Sequence, residues 1–369
     1  MEKLIIHKKE LMLYTLLGLC CLFSLIFVNQ NNKYYKETIV RVTSVQLMKE
    51  EESVDHYRNK DMIYTQLLTG KILNGALKGR YVELQNEYSS SGAADNRYKS
   101  GDNLFISLND NTSAKLTGTI KGLKRDRYLV IMIMLFTVFI IIVGKKKGLF
   151  SLFSLSFNII LFSLVMDLYL KGINLLLVCC IVVIVFTVFS LILVSGRNKK
   201  TLTAIVSTLL GTFITLIIAY AVMRLTNEKG VRYEEMQFLT HPPHEIFMAE
   251  ILVGCLGAVM DVSITISSSI HELCEKNPNI SLKSLTDSGM EIGRDIMGTM
   301  TNVLFFAYIS GTIPMLLVYL RNGYQTGYTF TVNLSLELIR ALTGGIGIVL
   351  TIPISLFASL FMQNKHIKF

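Results

Sequence analysis

The first residue in this sequence that demands a chemical explanation is an aspartate in the middle of an apolar run. Asp261 lies within 246–270, a run of 25 residues. As a helix that run reaches roughly 37 Å, more than the ~30 Å hydrocarbon core of a bilayer. A carboxylate at such depth is costly unless it is paired, protonated or hydrated, so it marks either a solute path or a polar helix-packing cluster. Spacings of three and four place Glu250, Gly254, Gly257, Asp261, Thr265, Ser268 and Glu272 on one helical stripe. The acid and hydroxyls suit a titrating or cation-binding site, and the two glycines suit close approach of another helix.

The next run opens with Arg294, Asp295, Gly298, Thr299 and Asn302. Counted from the end the two helices share, Asn302 and Asp261 differ in depth by less than one turn, which permits contact. Arg294 is too shallow to reach Asp261 and is expected to meet Glu272, Asp295 or a lipid headgroup. The candidate transport or binding site is therefore Asp261, Thr265, Ser268, Glu250, Thr299 and Asn302. Arg294, Asp295 and Glu272 are expected to act as gate or structural groups. In the last run, Glu337, Arg340, Gly344, Gly347, Thr351 and Ser355 form another stripe. The first two, three apart, are expected to pair with each other. Gly344–Gly347 and Pro353 offer places for a break or kink of the kind transporters use at binding sites.

Other motifs fail on their chemistry. His271-Glu272 lacks the second histidine of a zincin helix, and His241-Pro-Pro-His244-Glu245 lacks a third firm zinc ligand. No Walker loop, nucleophile elbow or dinucleotide fingerprint occurs. No catalytic residue, metal or cofactor is expected, and the chain is read as a non-enzyme.

The elements that must carry these residues are membrane spans. The chain is 51% hydrophobic and 17% charged, with five prolines among 369 residues. Apolar runs of spanning length fall at 11–28, 128–144, 149–166, 173–195, 202–223, 246–270, 296–320 and 336–362. Lys145–Gly148 separates the second and third as a tight helical hairpin. With eight crossings, Lys3, Lys8 and Lys9, Lys145–Lys147, Arg197, Lys199 and Lys200, and Lys365 and Lys368 share one side, which the positive-inside rule makes cytoplasmic. The net charge of +9 is accounted for by this topology rather than by nucleic-acid binding. The first run is expected to be an uncleaved anchor at 1–29, since no small-x-small pattern follows it.

Residues 30–127 form the one soluble segment with room for a core. β-rich stretches at 38–47, 66–73, 80–84, 103–108 and 114–120, separated by glycine turns, predict a small extracytoplasmic β-barrel-like domain, SH3-like or OB-like. Its scattered tyrosines and the Glu50-Glu51-Glu52 run favour a structural or partner-docking role over oligonucleotide binding. None of the six cysteines lies there, which excludes a disulfide scaffold. Residues 128–369 complete an α-helical polytopic membrane protein of about eight transmembrane helices. Within it, Ser281 is expected to cap a short interfacial helix between the sixth and seventh spans.

Gly257-Ala-Val-Met-Asp261-Val, the 266–272 segment and Gly289-Met-Glu-Ile-Gly293-Arg294-Asp295-Ile-Met-Gly298-Thr299-Met-Thr-Asn302 resemble the YibE/F family of bacterial multi-pass membrane proteins. The arrangement of anchor, β-domain and seven further helices is similar to the longer, YibE-like members. The Lys124–Tyr128 stretch and Val303 depart from the family pattern. The resemblance implies the fold and a cell-membrane location but brings no substrate. It also implies a partner in the bilayer, either a shorter YibE/F-like subunit or a second copy. Two functions fit: a transporter or permease for a small solute or ion, and a non-transporting envelope factor whose β-domain docks partners.

Overall fold

A computed structural model describes residues 2–92, 95–109, 116–236 and 242–363, and divides into two compact units, 1–143 and 144–369. The first unit begins with α1 (Glu2–Gln30) and a 3-10 turn, Asn31–Tyr34. Five strands follow: β1 (Thr38–Val54), β2 (Lys60–Ile72), β3 (Tyr81–Ser89), β4 (Asn103–Leu108) and β5 (Leu116–Leu123). They pair in the order β1-β2-β3-β5-β4, and β4 returns to β1, so the sheet closes on itself. Only β3 and β5 are parallel.

Alternate residues of these strands, among them Val40, Val42, Leu68, Ile72, Val82, Leu84, Leu104 and Ile106, turn inward and are buried. The small enclosed space dictates where glycine is needed. A Cβ on Gly118 would stand 2.8 Å from the Ser107 carbonyl oxygen, a backbone atom that cannot swing aside, whereas one on Gly122 would meet nothing. Gly118→Ala is therefore expected to destabilise the sheet by about 1–3 kcal/mol. Gly122→Ala should leave its thermal unfolding unchanged, and equal melting of the two variants would contradict this packing.

β1 and β2 run further than the sequence predicts. Beyond the buried core they continue as a two-stranded ribbon in which Glu52 pairs with Lys60 at 2.9 Å. The acidic run 50–52 is thus a solvent-facing strand edge rather than a loop. The final strand begins at Leu116, and 114–115 lie outside the described residues.

Where strands meet helices, Lys124 is buried with its ammonium enclosed by oxygens. It donates to Asn31 Oδ1 at 2.6 Å and Asn32 Oδ1 at 2.9 Å, and pairs with Asp126 at 3.2 Å. Asp126 in turn accepts from Asn31 and from the Tyr35 hydroxyl. Burial first, and then the Asp126 carboxylate, pushes the Tyr35 phenol above its ordinary range. This network ties the 3-10 turn that follows α1, with Tyr35, to the link between β5 and α2 (Asp126–Leu170) within one unit.

α2 is 45 residues long, about 67 Å at helical rise, and too long for one crossing. It leaves helical geometry at Lys145, with φ 48° and ψ −124°, inside the stretch where the sequence predicts a hairpin.

The second unit holds the rest of α2 and α3 (Leu175–Ser195), α4 (Lys199–Leu225), α5 (Pro243–Lys276), α6 (Leu282–Ser310), α7 (Ile313–Arg321) and α8 (Thr326–Gln363). Among the described residues five helices are long and apolar enough to span a membrane, six if α6 and α7, bent by 50°, count as one. The surface carries exposed Phe153, Ile159, Ile217, Phe306 and Phe357, while the interior holds buried Thr208, Thr212, Thr215, Ser263, Ser267, Thr351 and Ser355. A water-soluble protein has the opposite arrangement; hydroxyls inside and large hydrophobes outside belong to a membrane-embedded one.

Small residues set the helix directions. Glu250–Arg340, Ser263–Ser355 and Ser267–Ser359 advance together along both chains, so α5 and α8 run parallel. Gly211 lies against Thr351, and Gly347 against Thr215, which makes α4 antiparallel to α8. Gly289 and Gly293 receive Leu356 and Ile352, placing α6 antiparallel to α8 as well. Each interhelical hydroxyl bond contributes only about 0.6 kcal/mol, so the close backbone approach allowed by glycine is the larger effect.

Two expectations change here. Ser281 does cap a helix, accepting from the Ser284 N–H at 3.1 Å, but that helix is α6 itself rather than a separate interfacial piece. Gly344–Gly347 does not break α8, because these glycines admit Leu304 and Thr215 from neighbouring helices; Pro353 also lies inside the continuous helix. The break falls instead between α6 and α7. There Pro314 has no N–H to offer the Ser310 carbonyl and its ring crowds that oxygen, so the helical ladder stops where α6 ends.

Candidate functional site

The residues singled out by sequence separate into two groups. Asp261 and Thr265 are exposed on α5, and Asp295, Thr299, Arg294 and Asn302 are exposed on α6. Among the described residues no hydrogen bond or ion pair joins the Asp261 carboxylate to Asn302 or Arg294. The Thr265 and Thr299 hydroxyls turn back to the carbonyls of Asp261 and Ile296. Ser268 is half-buried. Glu272, expected opposite Arg294, instead pairs with Lys276 one turn along its own helix at 2.7 Å. The face of α5 that packs into the bundle is the apolar and hydroxyl one, with Val259, Val262, Ser263, Ile266 and Ser267.

Glu250 goes elsewhere. Its Oε2 lies 3.0 Å from Nη2 of Arg340 on α8, while Arg340 Nη1 donates to both oxygens of Glu337 at 3.1 Å. The Arg340 guanidinium also stands over the Phe247 ring, 5.5 Å from its centroid. The pairing of Glu337 with Arg340 that their spacing predicts is present, and a third charge from another helix joins it. Glu250 sits about 10 Å along α5 from Pro243, and Arg340 about 21 Å along α8 from Thr326. Both charges are therefore well inside helices of spanning length.

These three residues line a cavity of about 360 Å³ together with Asn333, Thr312 and Gly311, the last two at the break between α6 and α7. Met236, Ile246, Met315 and Leu336 complete its walls. Asn333, only 8% exposed, donates through Nδ2 to the Thr329 carbonyl at 2.9 Å, and its Oδ1 has no partner. Arg340 Nε is likewise buried without a partner. Buried polar atoms left unpaired carry a desolvation cost, and a site that binds a polar solute is where that cost has a use. Tyr308 of α6 reaches Gly254, closing the cluster from the side of α6.

Sequence reasoning missed Asn333 because the apolar run was read from 336. The turns 326–335 are rich in Thr, Ser and Asn, which lowers their hydropathy although they are helical. A signal for the break was available in Gly311-Thr-Ile-Pro314. His241 lies outside the described residues. His244 is engaged through Nδ1 with Glu228 at 2.7 Å, a residue held in left-handed backbone at φ 56°. Burial, then Glu228, raises the pKa of the neighbouring Tyr233 phenol.

Comparison with known proteins places this geometry in a family. The YibE/F-like protein family model matches residues 132–365, and that of the YibE/F family N-terminal domain matches 33–123. No curated protein and no solved structure matches the chain. The first match spans the cavity and both polar stripes, the second covers the strands, and together they take in most of the sequence: the chain belongs to the YibE/F family.

Proposed function

We propose that the chain is a cell-membrane transporter or permease for a small solute or ion, and that the cavity of Glu250, Glu337, Arg340 and Asn333 is its binding site. The observation that carries this reading is a space of about 360 Å³ beside a broken helix, lined by three charged residues and by Asn333, whose buried amide oxygen has no partner. Transporters build midplane sites from such discontinuous helices. The reading takes α1, the two parts of α2, α3, α4, α5, α6 with α7, and α8 as eight crossings. The termini are cytoplasmic and residues 30–127 extracytoplasmic, forming a small barrel. No catalytic role, metal or cofactor is assigned.

Asp261 and Thr265 on α5, and Thr299 and Asn302 on α6, are polar groups exposed outside the bundle. Facing lipid, an acid there is costly, so this stripe supports a partner in the bilayer, either a second copy or a shorter YibE/F-like chain. The alternative function, an envelope factor without transport, is favoured by the β1–β2 ribbon, where Leu47, Met48 and Val54 are exposed.

Single-cysteine variants in a cysteine-free background test the transport reading. Asn333→Cys and Thr312→Cys are expected to react with a membrane-impermeant methanethiosulfonate applied to intact cells. Failure of Asn333→Cys to react from either side of the membrane would mean a dry packing cluster and would sink the proposal.

A further inference from the structure

We infer that the cavity takes one positive charge carried on a primary amine, that is, a small alkylammonium ion. The inference rests on the reading of this cavity as the solute site. Three observations on the lining residues carry it.

The first is charge. Two carboxylates, Glu250 and Glu337, share one guanidinium, Arg340, which leaves one negative charge uncompensated. Among the described residues, the Cys255 thiol on α5 and the Tyr308 hydroxyl on α6 also face the cluster, both neutral in their ordinary forms. Among the described residues the cavity lining adds no lysine, histidine or second arginine. An excess charge at this depth in a bilayer calls for a single counter-charge.

The second is the state of the donors and acceptors. Both terminal nitrogens of Arg340 are paired with carboxylates and only its buried Nε is left without a partner, so an anionic solute would have to displace those carboxylates to reach the fork of the guanidinium. Asn333, on the cavity wall, offers the reverse: its amide nitrogen is committed to the Thr329 carbonyl, and its buried oxygen is an acceptor without a partner. A carboxylate and a free amide oxygen ask for a cation that donates hydrogen bonds, and an –NH3+ group supplies three donors.

The third is the remaining wall. Met236, Ile246, Met315 and Leu336 are hydrocarbon or thioether, and about 360 Å³ is more than a bare ion fills. Of the six side-chain oxygens on Glu250, Glu337, Asn333 and Thr312, three already face Arg340, which leaves fewer than the roughly six that hard cations gather. An alkyl chain fits the apolar part while its ammonium meets the acids.

Purified full-length protein in detergent is titrated with n-butylammonium chloride, tetramethylammonium chloride or sodium chloride at constant ionic strength, following thermal unfolding. Butylammonium should raise the melting temperature in a saturable way. Tetramethylammonium, which has the charge without N–H donors, and sodium should not. Glu250→Gln and Asn333→Leu should each weaken butylammonium binding at least tenfold. Sodium equal to butylammonium would reassign the site to an inorganic ion, and no cation effect on the wild type would overturn the assignment. Unchanged titration in both variants would place binding elsewhere. The wild-type comparison stands even where a variant fails to fold. Labelling of Asn333→Cys without butylammonium binding would keep the transport reading and reject the ammonium; absence of both would reject both.

Discussion

Arg340→Met should destabilise the protein by about 3–5 kcal/mol, the cost of stranding charges whose partner has been removed. Arg340 is only 16% exposed and holds Glu337 through two hydrogen bonds and Glu250 through an ion pair. Without it two carboxylates remain within spanning helices, with no cation among the described residues that line the cavity. The loss would be read as reduced abundance in membranes and a lower melting temperature in detergent. Adding Glu250→Gln and Glu337→Gln to Arg340→Met should recover most of the stability, because neutral amides of similar size remove the unpaired charge while keeping the packing. A triple variant as unstable as Arg340→Met would show that the arginine acts through its contact with Phe247 rather than through charge.

Lys124→Met is the second large effect. The Lys124 side chain is 3% exposed, and its ammonium satisfies Asn31, Asn32 and Asp126 together. Methionine fills the same volume but strands those oxygens, at a cost again of about 3–5 kcal/mol. The damage should be local to the first unit, appearing as faster proteolysis around 31–37 and 124–128 while the helices from α3 onward keep their thermal transition. Asp126→Asn combined with Lys124→Met should cost less than the sum of the two single changes, since the pair acts as a unit. Additive losses would mean the network is a set of independent bonds.

The departure at Lys124–Tyr128 noted in the sequence is where this network lies. As a sequence feature it was only a charged stretch before a span. In the structure Lys124 is an interior residue that ties helix and strand, because residues 93 positions earlier supply its acceptors. No local pattern carries that information.

The membrane class, the positions of most of the apolar helices, the β-rich segment and the family were legible in the sequence, because burial in lipid and strand alternation are local, periodic demands. The long ribbon, the continuous α6 and the displaced break were less legible, since hydropathy blurs wherever a helix starts with Thr, Ser and Asn or a strand runs into solvent. Helical spacing alone also put Glu250 and Asp261 on the same stripe. It fixes the azimuth of a side chain about its own helix but says nothing of which neighbour stands opposite. Only packing decided that Glu250, set beside the parallel α8, would meet the long arm of Arg340, whereas Asp261, lower on the same stripe, would face out of the bundle. The small residues on α4, α6 and α8 let those helices approach one another closely, and the acid that drew attention first stays outside the cavity that the tertiary structure builds.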